Sequence, residues 1–183
     1  MKALLIGINT KYIHPSISLY QLKANTSYET DIMEFIIKDK NDKVLTTKME
    51  HHANDLPWRK TATVEYVDVD ELGRINIDDI ENKLKKSNGN IKIVSITGAS
   101  NVTGYINPIN EIAKLAHKYG AKIIVDAAQL VAHKEVDMKG KNPMEQIDFL
   151  VLSAHKIYAP FGSGLIVGLI KDLEVEEPFL KGG

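Results

Sequence analysis

The sequence of 183 residues contains no cysteine. This absence excludes disulfide bonds, thiolate metal sites, iron–sulfur clusters and a cysteine nucleophile within the chain. Lysine and arginine together number 23 and aspartate and glutamate 24, which gives a formal net charge of -1. A balance of this kind gives no electrostatic reason to expect nucleic acid or an anionic membrane as a partner, so a small or protein-derived substrate is the better expectation.

Long apolar runs are also absent from the sequence. The amino-terminal segment MKALLIGINTKYIHPS has a short apolar run that Asn9 and Lys11 interrupt. The run is well below the length of a membrane span, and no signal-peptide cleavage pattern follows it. We therefore expect a cytoplasmic protein without a membrane partner. With 44% hydrophobic residues, a chain of this length can bury one sizeable core.

Short apolar runs rich in β-branched residues alternate with helical patterns along the chain. This alternation is typical of an α/β fold with a mostly parallel sheet flanked by helices. The predicted strands are 43–47, 63–69, 91–96, 121–125, 149–152 and 162–167. One helix is predicted to open at Asp78 and Asp79. A second should follow Asn107 and Pro108, with Asn107 as its N-cap, Pro108 at its first position and Gly120 placed to end it.

Polar residues follow several of these strands, at Asn101, 126–129 and 153–156. The carboxyl ends of parallel strands form the edge at which open α/β sheets bind ligands. A lysine at the end of an apolar strand, such as Lys156, can form a Schiff base, and pyridoxal sites pair such a lysine with an acid at the ring nitrogen. Asp126 is the candidate acid. The alternative is that His155 and Lys156 are a solvated strand end and that Asp126 caps a helix.

Four motifs occur in order along the chain: MEHHANDLPW at 49–58, SNVTG at 100–104, VDAAQ at 125–129 and SAHK at 153–156. In order and approximate spacing they resemble the cysteine desulfurases and selenocysteine lyases of the class V aminotransferase family. The resemblance covers about 43–183 and is truncated at both ends. It implies part of the large domain of a fold type I pyridoxal-phosphate enzyme, a desulfurase, lyase or aminotransferase that acts on a small amino acid. It also implies a homo-oligomer, because fold relatives build each cofactor site at a dimer interface.

The resemblance assigns roles around the cofactor ring. Lys156 would form the internal aldimine with pyridoxal phosphate, and Asp126 would pair with the pyridinium nitrogen. Gln129 would donate a hydrogen bond to the phenolic oxygen. His51 would stack on the ring, and we prefer it to the adjacent His52 because Glu-His is the part of the motif that the family shares.

The remaining roles concern the substrate and the phosphate. Asn101 would lie near the substrate carboxylate and the oxygen substituent of the cofactor, while Ser153 and His155 would contact the phosphate. No metal ligand is expected. Two departures from the family stand out: a phosphate-binding Thr-Thr loop would precede the first motif, and a small domain with a substrate arginine and a catalytic cysteine would follow Gly183. We therefore expect no persulfide on this chain, and the sequence leaves open whether truncation has removed its activity.

The segment 1–40 has a different resemblance, to the opening strand–helix–strand unit of the cobalamin-binding domain that precedes radical S-adenosylmethionine domains. We treat it as a separate segment from 41–183. A structural interpretation is also open, in which 1–8 and 30–37 supply strands to the sheet. His14, a possible cobalamin ligand by residue type, is better interpreted as a turn residue before Pro15. Alternative functions are thus a cobalamin-binding module or a catalytically silent hybrid.

Overall fold

The computed structural model describes residues 8–9, 41–160, 163–169 and 172. Within these residues the strands are β1 (Ile8–Asn9), β2 (Lys43–Thr47), β3 (Thr63–Val67), β4 (Ile91–Thr97), β5 (Lys122–Asp126), β6 (Phe149–Ser153) and β7 (Ser163–Gly168). The α-helices are α1 (His52–Asp55), α2 (Trp58–Thr61), α3 (Ile77–Ser87), α4 (Ile109–Lys118) and α5 (Leu130–His133). Short 3-10 helices occupy Pro143–Glu145 and Ala154–Ile157.

The strands form a single sheet in the order β1-β7-β6-β5-β4-β2-β3. The five strands from β6 to β3 in this order are parallel, whereas β7 and β1 are antiparallel to their neighbours. Parallel strands require crossover connections, and α3 and α4 supply two of them. The predicted α/β fold with a mostly parallel, helix-flanked sheet is therefore confirmed.

Both faces of the sheet are covered. Leu45 and its neighbour Val44 on β2 belong to different apolar clusters, as expected for adjacent strand residues that point to opposite faces. The larger cluster packs the sheet against the apolar faces of α3 and α4; its members there are Ile80, Leu84, Ile109, Ile112, Ala113 and Ala116. The smaller cluster packs Val44 and Ile93 against Trp58 of α2. Burial on both faces explains why the strands are continuous apolar runs in the sequence.

The end of the helix predicted after Pro108 is correct, but its start is not. Gly120 has a φ of 77° and follows α4, so it provides the left-handed turn that ends the helix. The N-cap, however, is Pro108, and it makes no side-chain capping bond. Asn107 is instead buried, at 3% exposure, and its amide Nδ2 donates to the Thr97 carbonyl at 2.8 Å. The prediction of Asn107 as N-cap was wrong because this side chain is turned onto β4.

Only a small part of the segment 1–40 is described. In β1, Ile8 lies opposite Gly164 and Asn9 opposite Ser163, so this segment adds an edge strand to β7. The other residues of the predicted strands 1–8 and 30–37, together with His14, lie outside the described residues. The division of the chain at residue 40 stays a prediction. Within the described residues, no helix combines the length and apolar character needed to cross a membrane.

Candidate functional site

The carboxyl ends of β2, β4, β5 and β6 lie side by side, since these four strands are parallel neighbours in the sheet. Asp126 is the last residue of β5, opposite Thr97 of β4 and Val151 of β6. The turn with His51 follows β2, and the 3-10 helix with Lys156 follows β6. The edge at which open α/β sheets bind ligands therefore carries three of the residues predicted from the sequence.

The carboxylate of Asp126 interacts with the other two residues of this group, His51 and Lys156. Its Oδ1 accepts a hydrogen bond from the Ala128 amide at 2.9 Å. Burial raises the pKa of Asp126, while the Ala128 amide and electrostatic interactions with His51 and Lys156 act in the opposite direction. His51 and Lys156 thus both act electrostatically on Asp126, although they are 105 residues apart in the sequence.

His51 is the N-cap of α1. Its Nδ1 accepts a hydrogen bond from the Ala53 amide at 3.1 Å, so the neutral ring must carry its proton on Nε2. The ring is exposed, and its centroid lies 6.3 Å from that of His52, with the two planes tilted by 48°. The capping bond distinguishes the two histidines, because it fixes the tautomer and limits the orientation of His51.

Lys156 lies in the 3-10 helix that directly follows β6. Buried Ala154 anchors this helix, whereas Lys156 is exposed. The helix ends at Tyr158, which has a left-handed backbone with a φ of 67°. Ser153 and His155, the predicted phosphate contacts, lie on either side of Ala154 and are partly buried. The lysine amine is therefore accessible to a ligand at the edge of the sheet.

Two predicted residues are near this edge by chain position, but within the described residues no hydrogen bond joins their side chains to Asp126, His51 or Lys156. Gln129 is the N-cap residue of α5 and makes no side-chain capping bond. Asn101 is exposed in the turn after β4, in which the Ser100 hydroxyl accepts from the amides of Val102 and Thr103. Within the described part of the chain, neither the Asn101 nor the Gln129 side-chain amide makes a hydrogen bond.

The sequence reasoning missed Glu50. Its Oε1 accepts from the Thr47 hydroxyl at 2.6 Å and from the Thr97 amide at 3.0 Å, and its Oε2 accepts from Asn54 Nδ2 at 2.7 Å. The pKa of Glu50 is raised to about 7, mainly by burial and also by the negative charge of Asp126, although the three hydrogen bonds act against the rise. The only sequence signal was the spacing of Glu50 and Asn54 within the MEHHAND motif.

Asn54 continues the network into the sheet. The Ser95 hydroxyl donates to Asn54 Oδ1 at 2.7 Å, and Trp58 Nε1 donates to Ser95 Oγ at 3.1 Å. Ser95 and Trp58 are buried, with 0% and 4% exposure. These bonds attach the His51 turn to β4 and α2. Among the described residues no group of three histidine, aspartate or glutamate side chains is arranged to hold a metal ion.

Comparison with known proteins decides the family. The model of the aminotransferase class-V family matches residues 29–183. The chain belongs to this family. This match confirms the family predicted from the four motifs. The class V aminotransferases and the cysteine desulfurases are pyridoxal-phosphate-dependent proteins.

Curated relatives lie within the cysteine desulfurase branch. A probable cysteine desulfurase of Halalkalibacterium halodurans is 38% identical over 147 residues, which are 78% of this chain and 34% of the relative. A probable cysteine desulfurase of Pyrococcus abyssi is 37% identical over 157 residues, which are 82% of this chain and 37% of the relative. The chain thus spans about a third of the length of these relatives.

Solved structures agree with this assignment. The cysteine desulfurase CsdA of Escherichia coli superposes with a TM-score of 0.69 at 27% identity, over 86% of this chain and 40% of that one. The cysteine desulfurase of Thermococcus onnurineus gives a TM-score of 0.63 at 29% identity, over 80% of this chain and 38% of that one. The fold is therefore part of the large domain of a fold type I pyridoxal-phosphate enzyme, as predicted.

Proposed function

We propose that the chain carries the cofactor-ring part of a pyridoxal-phosphate site of the cysteine desulfurase type. The observation that carries the proposal is the action of both His51 and Lys156 on Asp126 at the carboxyl edge of the sheet. Around the ring, such a site uses a lysine that binds the cofactor, a carboxylate that pairs with the ring nitrogen and, by the family resemblance, a histidine that stacks on the ring. The ion pair of Lys43 with Glu65, in contrast, links the neighbouring strands β2 and β3.

The chemistry of the residues fits the cofactor. Asp126 bonds the Ala128 amide through Oδ1, and its Oδ2 makes no hydrogen bond within the described residues. Asp126 is partly buried, and the loss of hydration destabilises its ionised form and raises its pKa. A cationic partner stabilises the ionised form and so replaces the interactions that water would provide. A protonated pyridine nitrogen is a partner of this kind. When bound, the cofactor withdraws electrons from the α carbon of an amino acid.

We assign the other roles from the family. Lys156 would hold the cofactor covalently through its aldehyde, and the His51 ring, held by its capping bond, would stack on the pyridine. Gln129 would donate to the phenolic oxygen. Asn101 would lie near the substrate carboxylate, and Ser153 and His155 would contact the phosphate.

The substrate we propose is cysteine, since the relatives are named cysteine desulfurases. The chain has no cysteine of its own, so the thiol that receives sulfur would lie outside these 183 residues. Self-association, a cytoplasmic location and the absence of a nucleic-acid partner stay predictions. A sedimentation measurement that gives a clean monomer at high protein concentration would contradict self-association.

The test of the proposed function is covalent binding of the cofactor. Protein mixed with pyridoxal phosphate should develop a visible absorption band, and borohydride reduction should fix the cofactor on the peptide that contains Lys156. Lys156→Ala should lose both signals and keep its fold, because the lysine is exposed. The matched control is Lys139→Ala, since Lys139 is equally exposed and lies away from the strand ends; it should keep both signals.

Two outcomes would contradict the proposal. Wild-type protein that never develops the band at saturating cofactor would show that this chain does not bind pyridoxal phosphate. Equal labelling of the wild type and Lys156→Ala would show that the aldehyde reacts with surface lysines and would remove Lys156 from its assigned role.

A further inference from the structure

A directional chain of hydrogen bonds leads from Trp58 to Glu50. An indole N–H can only donate, so Ser95 Oγ must accept from Trp58 Nε1. The Ser95 hydroxyl proton is then directed at Asn54 Oδ1, 2.7 Å away. This bond fixes the orientation of the Asn54 amide, whose Nδ2 donates to Glu50 Oε2. Every donor in the chain therefore points towards the carboxylate of Glu50.

This direction suits the ionised form of Glu50. The carboxylate accepts three hydrogen bonds, from Asn54, the Thr47 hydroxyl and the Thr97 amide. Oε1 accepts from two donors and Oε2 from one, so we expect the proton on Oε2. Directed at Asn54, it would face an N–H, and two donors cannot bond to each other. Asn54 would have to rotate its amide, and the Ser95 hydroxyl would then lose its acceptor. Protonation on Oε2 would therefore disturb the hydrogen bonds of Asn54, Ser95 and Trp58 in turn.

The affected residues include the turn that presents His51. Glu50 directly precedes His51, and Asn54 lies in α1, of which His51 is the N-cap. The hydrogen bonds of Glu50 to Thr47 and Thr97 attach this turn to β2 and β4. Loss of the Asn54 bond would leave α1 without its link to Glu50. The hydrogen bonds of Glu50 therefore help to hold the turn that presents His51.

Charged groups on the elements next to Glu50 also influence its ionisation. From β5, Asp126 raises the pKa of Glu50, while His51 and Lys156 act on Asp126 itself. On α1, the Asp55 carboxylate is held by Arg59 in an ion pair. Since burial brings the pKa of Glu50 to about 7, both of its forms are populated near neutral pH.

We propose that Glu50 is a positioning residue whose ionisation orders the His51 turn through Asn54 and Ser95, and that the single tryptophan, Trp58, reports this state. The role of the turn at the cofactor ring rests on the proposed function. The ionisation itself can be measured in protein without cofactor, so the two ideas can fail separately.

The first test follows the indole N–H resonance of Trp58 by NMR in cofactor-free protein; the chain has one tryptophan and so one such resonance. The wild-type resonance should move with a single-proton transition near pH 7. Glu50→Gln cannot ionise and places an N–H against Asn54, so its resonance should stay near the acid-limit position at every pH. Ser95→Ala breaks the chain between Asn54 and Trp58 and should remove most of the transition.

Histidine titration is the competing explanation, since the chain has six histidines. The control is His51→Asn, which should keep the transition because Glu50 remains. A wild-type resonance that does not move, or a transition that survives unchanged in Glu50→Gln, would overturn the proposal. Loss of the transition in His51→Asn with full retention in Glu50→Gln would assign it to His51 and would also overturn the proposal.

The second test measures the affinity for pyridoxal phosphate of wild type and Glu50→Gln at about pH 6 and about pH 8. At the higher pH the wild type should bind about 3- to 10-fold more tightly, because an ordered turn and one more negative charge favour the protonated ring. At the lower pH the two affinities should agree. An equal ratio at both pH values would overturn the positioning role. Absence of binding by both proteins would count against the proposed function, and the Trp58 transition would then decide whether Glu50 orders the turn.

Discussion

His117 Nε2 lies 2.8 Å from Asp148 Oδ2. The other ring nitrogen, Nδ1, lies 2.9 Å from the Met144 carbonyl oxygen, so both nitrogens face acceptors and the protonated imidazole satisfies both. Asp148 also accepts from the Ile123 amide at 2.9 Å. The pair therefore joins α4 to the beginnings of β5 and β6, at the opposite edge of the sheet from the candidate site.

The His117–Asp148 pair should make stability depend on pH. The bond to Asp148 raises the pKa of His117 above 6.5, although burial acts against the rise. A raised pKa in the folded state gives stability that is complete below the unfolded value and is lost as the pH rises through the folded value. We expect the free energy of unfolding to fall by about 1 kcal/mol over this range, by urea denaturation.

The matched variant for this measurement is His117→Asn, which should lose that part of the pH dependence. His133→Asn replaces an exposed histidine at the end of α5 and should retain it. At acid pH the dependence of stability on pH has the opposite sign. Burial alone would raise the pKa of Asp148, but His117, the Ile123 amide and Lys122 lower it, so the contribution of Asp148 is lost as the pH falls through that lowered value. Identical pH profiles for wild type and His117→Asn would contradict the assignment.

Asp126→Asn should separate cofactor affinity from stability. Asparagine keeps an oxygen to accept from the Ala128 amide but removes a partly buried charge whose pKa burial raises. The cofactor-free variant should therefore be as stable as the wild type or more stable, by up to about 1 kcal/mol. Its affinity for pyridoxal phosphate should fall by about 10- to 100-fold, the effect of losing one charge-assisted contact.

The control for this measurement is Asp78→Asn, because Asp78 is exposed in the first turn of α3. Titration calorimetry should give wild-type affinity for the control. Unchanged affinity in Asp126→Asn would show that the ring nitrogen does not use this carboxylate. A large loss of stability in the variant would show that Asp126 is a structural residue.

The strands were predictable because each is a local apolar run. The prediction of 43–47 for β2 matches Lys43–Thr47, and the other predicted strand boundaries within the described residues differ by no more than two residues. The convergence of Asp126 and Lys156 was predictable for a different reason: parallel topology brings polar residues at strand ends to one edge. Local pattern and a topological rule were sufficient for these features.

Tertiary contacts determined what the sequence could not indicate. Glu50 lies within a recognised motif, but nothing in the sequence indicates that it is buried or that its three hydrogen bonds reach Thr47, Asn54 and the backbone of Thr97 on another strand. Asn107 has the residue type and spacing of an N-cap, yet its side chain is buried against β4. In both cases a partner that is distant in the sequence outweighs the local propensity of a polar side chain.

Gly98 permits close packing between β4 and α5, and Gly98→Ala should destabilise the fold. A Cβ at this position would lie 2.7 Å from Leu130 Cδ2 and 3.3 Å from Val125 Cγ1. Leu130 is buried, at 2% exposure, and cannot move into solvent. We expect a loss of about 1–3 kcal/mol in the free energy of unfolding. Gly164→Ala is the control, because its Cβ would make an ordinary 3.4 Å contact with the Leu152 carbonyl oxygen.

A double-mutant cycle tests the cause of this effect. Leu130→Ala removes Cδ2, the atom closest to the new Cβ, and leaves the 3.2 Å contact with Leu130 Cβ, so Gly98→Ala should cost less in that background than in the wild type. The coupling should exceed about 0.5 kcal/mol, the level expected for residues in contact. Additive effects of Gly98→Ala and Leu130→Ala would place the strain elsewhere.

Tyr158 should be replaceable by asparagine with a gain in stability. Its backbone has a φ of 67° in the left-handed region, which costs most side chains about 1–2 kcal/mol but which asparagine tolerates. Asn88 shows this tolerance in the same chain, with a φ of 50° at the end of α3. The Tyr158 ring is fully exposed, so its removal loses no packing within the described residues. Tyr158→Asn should therefore raise the free energy of unfolding by about 0.5–1 kcal/mol.

The comparison variant is Tyr158→Phe, which keeps the backbone strain and should melt at the same temperature as the wild type. Because Tyr158 ends the 3-10 helix that carries Lys156, the relaxed turn in Tyr158→Asn should still present the lysine to pyridoxal phosphate. Both variants are measured by thermal denaturation at several protein concentrations. Destabilisation of Tyr158→Asn that grows with concentration would mean that the exposed ring packs against a second copy of the chain, since only contacts between copies depend on concentration. Destabilisation at every concentration would instead contradict the assignment of strain to this residue.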